Sequence, residues 1–203
     1  MKIYFAPNSR AVRVVWLFEE LGLTYELKMF KLGDKLMRGA EYKKTHPMGR
    51  VPALEDGNIT MFESGAIIQY VLAKYSEDRL IPDVSSPEFS TYLQWFHYAE
   101  GILMPPVNTL VVETLLLPEA KRNLTNIARA TKLLNKMLDP INERVADREY
   151  LAGEFTAADI ITGHAWILSS RRAGDISDKP NLADYLERLS ERPALQRALA
   201  IGN

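Results

Sequence analysis

The 203-residue chain contains no cysteine. That excludes a disulfide framework, a thiolate metal site and a catalytic thiol of the protein's own, so any sulfur chemistry has to use a thiol brought by a ligand. Histidine is scarce as well: His46, His97 and His164 stand far apart with no ligand-like spacing, and no metal site is read from them. Neither sign of charge dominates, with 25 basic against 26 acidic residues and a pI near 6.3. There is no basic surplus to draw a nucleic acid or an anionic membrane. No apolar run approaches the roughly 18 to 20 residues of a membrane span, and "MKIYFAPNSR" lacks the pattern of a signal peptide, so a cytoplasmic location is expected. What the chain does have is 47% hydrophobic residues, enough for one large core or two small ones.

The first eighty residues mix strand-like and helix-like pieces. "KIYFA" reads as a strand, "SRAVRVVWLFEELG" as an amphipathic helix stopped at Gly22, and "YELKMF" as a second strand, a β-α-β start. The polar stretch "KLGDKLMRGAEYKKTHPMG" has no readable order. Then "VPALED" and "ITMF" flank the turn Gly57-Asn58, which suits a primed hairpin, and "ESGAIIQYVLAKY" is helical. Past the Pro/Ser-rich "IPDVSSPEF" strand signals nearly vanish. Helical periodicity takes over in "STYLQWFHYAEGIL", "EAKRNLTNIARATKLLNKMLDPINERVA", "TAADIITGHAWILSSRR", "NLADYLERLSER" and "PALQRALA". The expected division is an α/β domain over 1–78, a linker over 79–86 and an all-helical domain over 87–203. Thr156 with Asp159 resembles a capping box, Pro193 suits a first helical turn, and Pro105 and Pro106 should kink or break their helix.

Two features of "GRVPALEDGNITMFESGAII" point to a bound guest. Pro52 opens an apolar strand without a backbone donor. Were its peptide bond cis, the chain would turn sharply and leave the Val51 backbone open to an extended peptide; a trans proline on an edge strand is the ordinary alternative. Farther on, Glu63 and Ser64 head a helix whose free N–H groups and positive end welcome a carboxylate. Ser64 adds a hydroxyl donor and Glu63 an acceptor for an ammonium group, so the pair suits a free amino-acid end. The plain alternative is that Ser64 is a helix cap and Glu63 a favourable first-turn charge.

The order strand-helix-strand, "GRVPAL", hairpin, "ESGAI" and an all-helical half resembles the cytosolic glutathione transferase family, in its serine-type, bacterial-like form. The resemblance runs the length of the chain and includes "LAGEFTAADI", similar to the family's C-terminal helix-capping segment. It implies a thioredoxin-like α/β N-terminal domain, an all-α C-terminal domain, a homodimer, and a cytoplasmic role in detoxification with glutathione as co-substrate and no metal. Transferred to this chain, the family pattern has Val51 pairing with the cysteinyl unit through its backbone and Pro52 making a cis turn. Glu63 and Ser64 hold the γ-glutamyl end, and Arg50 or, more weakly, Lys35 faces the glycyl carboxylate.

The thiolate of glutathione is the nucleophile, and its thiol has a pKa near that of free cysteine, about 8.5, so the task is to favour ionisation. In the turn "APNSRAVRV" Ser9 offers a hydroxyl at a helix N-terminus, and it stands four residues before Arg13, as the catalytic serine does in the serine-type branches. Asn8 and Arg10 flank the same turn as secondary donors. Tyr4 is the rival, because some branches use a tyrosine at the end of the first strand; within "KIYF" it suits a packing role better. Tyr92, Trp95, Phe96 and Tyr98 share a helix, at a spacing typical of core or of an interface between subunits. Met104, Val107, Leu110 and Val111 are candidates for lining a second-substrate pocket between the domains, an ordinary packed bend being the alternative. The expected activity is conjugation of the glutathione thiolate to hydrophobic electrophiles. A glutathione-dependent reductase of disulfides or peroxides, and a non-catalytic binding protein on the same fold, are the alternatives.

Overall fold

The structure is a computed structural model, and it describes residues 1–202. The chain forms two compact units, Met1–Leu80 with the segment that begins at Ser190, and Ile81–Leu189.

In the first unit β1 (Lys2–Phe5), α1 (Ala11–Leu21) and β2 (Glu26–Met29) make the expected β-α-β start, with β1 and β2 parallel. The hairpin β3 (Ala53–Asp56) and β4 (Ile59–Phe62) joins on the other side of β1, antiparallel to it, for a sheet order β2-β1-β3-β4. β1 is interior, which is why three consecutive residues, Ile3, Tyr4 and Phe5, are all buried instead of alternating. Ile3 opposes Leu54 on one face, while Tyr4 opposes Ala53 on the other and packs there with Phe30, Met37 and Tyr42. α1 ends where Gly22 adopts the left-handed conformation (φ 68°) and its N–H bonds Phe18 O. α3 (Ser64–Tyr75) closes the unit.

The stretch with no readable order holds a 3₁₀ turn at Lys35–Arg38 and the short helix α2 (Ala40–Lys43). Its last bend needs Gly49. The residue sits at φ 59°, and a Cβ there would lie 2.3 Å from the Met37 carbonyl oxygen.

The second unit contains α4 (Glu88–Tyr98), α5 (Met104–Val111), α6 (Leu124–Arg144), α7 (Ala157–Ser170) and α8 (Pro180–Ser190). Pro105 and Pro106 do not break the helical run as expected. A wide π turn, Ala99–Leu103, joins α4 to α5, and the prolines fall in the first turn of α5, where missing N–H donors are tolerated. α6 also starts later than its periodicity suggested. Asn123 caps it by accepting the Asn126 N–H at 3.1 Å, and the Glu113 carboxylate takes the Asn123 N–H at 2.8 Å and the Asn126 side-chain amide at 3.0 Å. Tyr92, Trp95 and Phe96 are buried inside this unit of a single chain. Their spacing therefore reflects core packing and does not by itself indicate a subunit interface.

The last helix, α9 (Pro193–Ala200), differs from the sequence expectation, which grouped it with the helical half. It packs on α1, tied by a two-pronged Arg192–Glu20 pair at 2.7 and 2.8 Å and by Arg197–Glu19 at 2.5 Å.

Candidate active site

The turn between β1 and α1 carries Ser9. Asn8 takes the left-handed conformation (φ 60°) that an asparagine tolerates, and the chain then delivers Ser9 to the mouth of α1. The buried Ser9 hydroxyl donates to the Ala6 carbonyl at 2.6 Å and accepts the Ala11 N–H at 3.1 Å. It thus supports the helix start, and it lies at the positive end of the α1 dipole. Tyr4 is placed differently. Its ring lies against Phe30 and Tyr42, with centroids 6.3 and 5.3 Å away, and its hydroxyl donates to Glu55 at 2.5 Å. Lys2 holds the other Glu55 oxygen at 2.8 Å, and these two donors, Lys2 first, keep the Glu55 carboxyl below its usual pKa and charged. The Tyr4 proton is committed to an anion.

Beyond α2, the Tyr42 hydroxyl donates to the Arg50 carbonyl at 2.6 Å and fixes the backbone just before Val51. The Val51-Pro52 peptide bond is cis. Among the described residues no backbone hydrogen bond of Val51 is found, although β3 begins only two residues later. Glu63 follows β4 in a conformation rare for a side-chain-bearing residue (φ 74°, ψ 111°), and no side chain caps the α3 N-terminus that it heads. Its side chain is exposed, whereas Ser64, the first residue of α3, is 3% exposed. Arg13 on α1 is 0% exposed and donates from Nη1 to the Ser64 hydroxyl oxygen at 3.4 Å.

Arg50 and Lys35 are both exposed, and Lys35 lies on the 3₁₀ turn whose first N–H bond is to the Asp34 carboxylate, Leu36 N to Oδ1 at 2.9 Å. His46 is buried against Phe62, with ring centroids 4.8 Å apart, and its Nδ1 accepts the Met48 N–H at 3.3 Å. Burial and the Arg50 charge hold its pKa below the usual value, against the opposing pull of the Glu63 charge.

Two further residues stand beside these candidates without having been expected there. His46 was weighed only as a metal ligand, and Arg13 served only as a landmark for Ser9. The signal for Arg13 was an arginine amid the apolar run "AVRVVWLF", in a helix buried on nearly every side.

In the second unit Met104, Val107 and Leu110 are core residues, exposed by 2%, 1% and 1%, and Val111 is half-buried. Among the described residues no group of three or more His, Cys, Asp or Glu side chains could hold a metal ion, and no helix is long and apolar enough to cross a membrane.

The profile described as "Glutathione S-transferase, N-terminal domain" matches residues 1–73, and "Glutathione S-transferase, C-terminal domain" matches residues 103–193. Glutathione S-transferase 3 of Schizosaccharomyces pombe is 31% identical over 209 residues, covering 97% of this chain and 85% of that protein. Glutathione S-transferase 3 of Zea mays is 32% identical over 213 residues, covering 98% and 93%. The chain belongs to the glutathione S-transferase family. Among solved structures, the theta class glutathione S-transferase of Xanthomonas axonopodis pv. citri with glutathione bound superposes with a TM-score of 0.83 at 28% identity, covering 98% of this chain and 96% of that one. The glutathione transferase URE2P6 of Phanerochaete chrysosporium, in complex with oxidized glutathione, gives 0.86 at 26% identity, covering 97% and 93%. The present chain is accordingly a glutathione transferase with a thioredoxin-like N-terminal domain and a helical C-terminal domain.

Proposed function

We propose that this glutathione transferase ionises the glutathione thiol at Ser9 and conjugates the thiolate to a hydrophobic electrophile. The observation that carries the choice of Ser9 is what each candidate hydroxyl donates to: a neutral carbonyl of Ala6 for Ser9, the charged Glu55 carboxylate for Tyr4. A thiolate is a charged acceptor, and charge-assisted bonds are roughly twice as strong as neutral ones. The thiol proton leaves to solvent, and the thiolate takes the Ser9 hydrogen bond in place of the Ala6 carbonyl, the hydroxyl keeping its proton and the α1 dipole acting in the same direction. The sulfur lone pair then attacks the electrophilic carbon, a C–S bond forms and the leaving group departs with its electrons.

The peptide lies along the Val51 backbone beside Pro52 by strand-like pairing. Glu63 takes the ammonium of the γ-glutamyl end, while Ser64 and the α3 N–H groups take its carboxylate. Arg50, and secondarily Lys35, faces the glycyl carboxylate. Of the apolar second-substrate candidates Met104, Val107, Leu110 and Val111, Val111 retains the most surface to offer a substrate. The enzyme works as a cytoplasmic two-fold dimer without a metal, a reading that rests on the family. Light scattering should give about twice the 23.0 kDa chain mass.

Titrating the ultraviolet absorbance of bound glutathione thiolate against pH tests the assignment. Ser9→Ala should raise the thiol pKa and Tyr4→Phe should leave it alone; the reverse pattern moves catalysis to Tyr4. The relative that holds oxidized glutathione favours one second reading, reduction of disulfides or peroxides. A substrate panel in which their turnover exceeds aryl-halide conjugation would select it.

A further inference from the structure

Arg13 is a charged side chain taken wholly out of solvent on α1, and it reaches the first residue of a different helix. Burying a guanidinium is costly unless its donors are engaged, so each acceptor it has matters. One of its donors, Nη1, is engaged by the Ser64 oxygen. A hydroxyl has a single proton and two acceptor lone pairs. With a guanidinium donating to the oxygen, the Ser64 O–H is left to act as a donor, and the nearby cation repels that proton and turns it away from α1. The same positive charge adds to the positive end of α3, whose first turn contains no acidic residue, the exposed Glu63 lying just before it. Both effects favour an anion at one spot beside Ser64.

We infer that Arg13 is a positioning residue that orients the Ser64 hydroxyl toward the α-carboxylate of the γ-glutamyl group. The inference rests on the proposed γ-glutamyl site. It adds that recognition of this carboxylate depends on a cation that acts from α1 through Ser64.

The test compares glutathione with γ-aminobutyryl-cysteinyl-glycine, which lacks only that carboxylate, by calorimetry on the wild-type enzyme, Ser64→Ala, Arg13→Gln, Arg13→Lys and the Ser64→Ala/Arg13→Gln pair. Arg13→Gln should weaken glutathione binding about tenfold and binding of the truncated peptide less than twofold. Arg13→Lys should recover part of the loss, and the double variant should bind no worse than Ser64→Ala by more than about twofold. Equal weakening of both ligands, or losses that multiply in the double variant, would overturn the inference, because either outcome describes a general packing role. A wild-type enzyme that does not distinguish the two ligands, with Ser64→Ala unchanged, would instead overturn the γ-glutamyl assignment itself. Should the Arg13 variants fail to fold, nitrogen-15 spectra of the wild-type arginine side chains decide. The Arg13 guanidinium resonances should move on adding glutathione and stay still with the truncated peptide; identical responses to the two ligands would overturn the inference.

Discussion

At the start of α7 the chain satisfies its own helix. The Thr156 side chain caps the first turn, and the Asp159 carboxylate accepts the Thr156 N–H at 2.9 Å, the Thr156 hydroxyl at 3.1 Å, the Leu151 N–H at 3.0 Å and the Tyr185 hydroxyl at 3.0 Å. At the start of α3 no side chain caps the helix, the residue before it sits in a rare backbone conformation, and a buried serine lies beside a buried arginine. Both ends carry the same orphan N–H donors and the same partial positive charge. The difference is whether the protein supplies the anion. α7 has a carboxylate of its own, buried and fully engaged, and so is a fixed part of the core; at α3 the proposed γ-glutamyl carboxylate would supply the anion.

That contrast can be broken or sharpened by substitution. The largest effect is expected at α7. Asp159→Ala strips four donors of their buried acceptor and should cost about 3–5 kcal/mol of stability, read by urea unfolding. A loss under about 1 kcal/mol would show that α7 does not depend on its internal anion. At α1, a third helix start, Ser9→Ala should lower turnover by roughly 10- to 1000-fold, the range for a lost oxyanion-type donor, while stability falls by only about 1 kcal/mol. Thr156→Ala, which removes one cap and leaves Asp159 in place, should cost about 1 kcal/mol and leave glutathione affinity alone.

A smaller effect concerns an anion engaged within the first unit. Asp56, at the β3–β4 turn, accepts from the hydroxyls of Tyr70 and Tyr75 and from Lys74, and these hold its carboxyl down to about 2. The folded value lies below the ordinary one, so the stabilisation is complete above about pH 4 and is lost as the pH falls through about 2. Asp56→Asn should flatten the melting temperature between pH 4 and 2; an unchanged slope there would exclude Asp56 as its source.

How much of this was legible in the residues depended on whether the signal was local. The strands, the Gly57-Asn58 hairpin, the Gly22 stop and the Thr156/Asp159 box are written in short windows, and they form where periodicity and capping put them. The helix start at Glu63-Ser64 was legible in the same way, and the binding role proposed for the pair rests on the chemistry of those two side chains. Three features were not legible. α9 joins α1 through Arg192–Glu20, a pairing of residues 172 positions apart that no window contains. The prolines at 105 and 106 looked like breakers because the preceding π turn leaves no mark in the periodicity. Arg13 reads as one polar residue on an apolar face until the fold brings it to Ser64.

The central claim is that the α3 N-terminus binds the γ-glutamyl end of glutathione because its own chain leaves it uncapped. The most direct measurement is calorimetric titration of glutathione into Ser64→Ala, alongside urea unfolding of the same variant. Affinity should weaken by about 1–3 kcal/mol, the scale of an unpaired partly buried polar group, and stability should also fall, because the buried Arg13 Nη1 loses its Ser64 acceptor; the affinity is the deciding readout. Unchanged affinity together with a stability loss of about 1 kcal/mol would contradict it and make Ser64 an ordinary helix cap like Thr156.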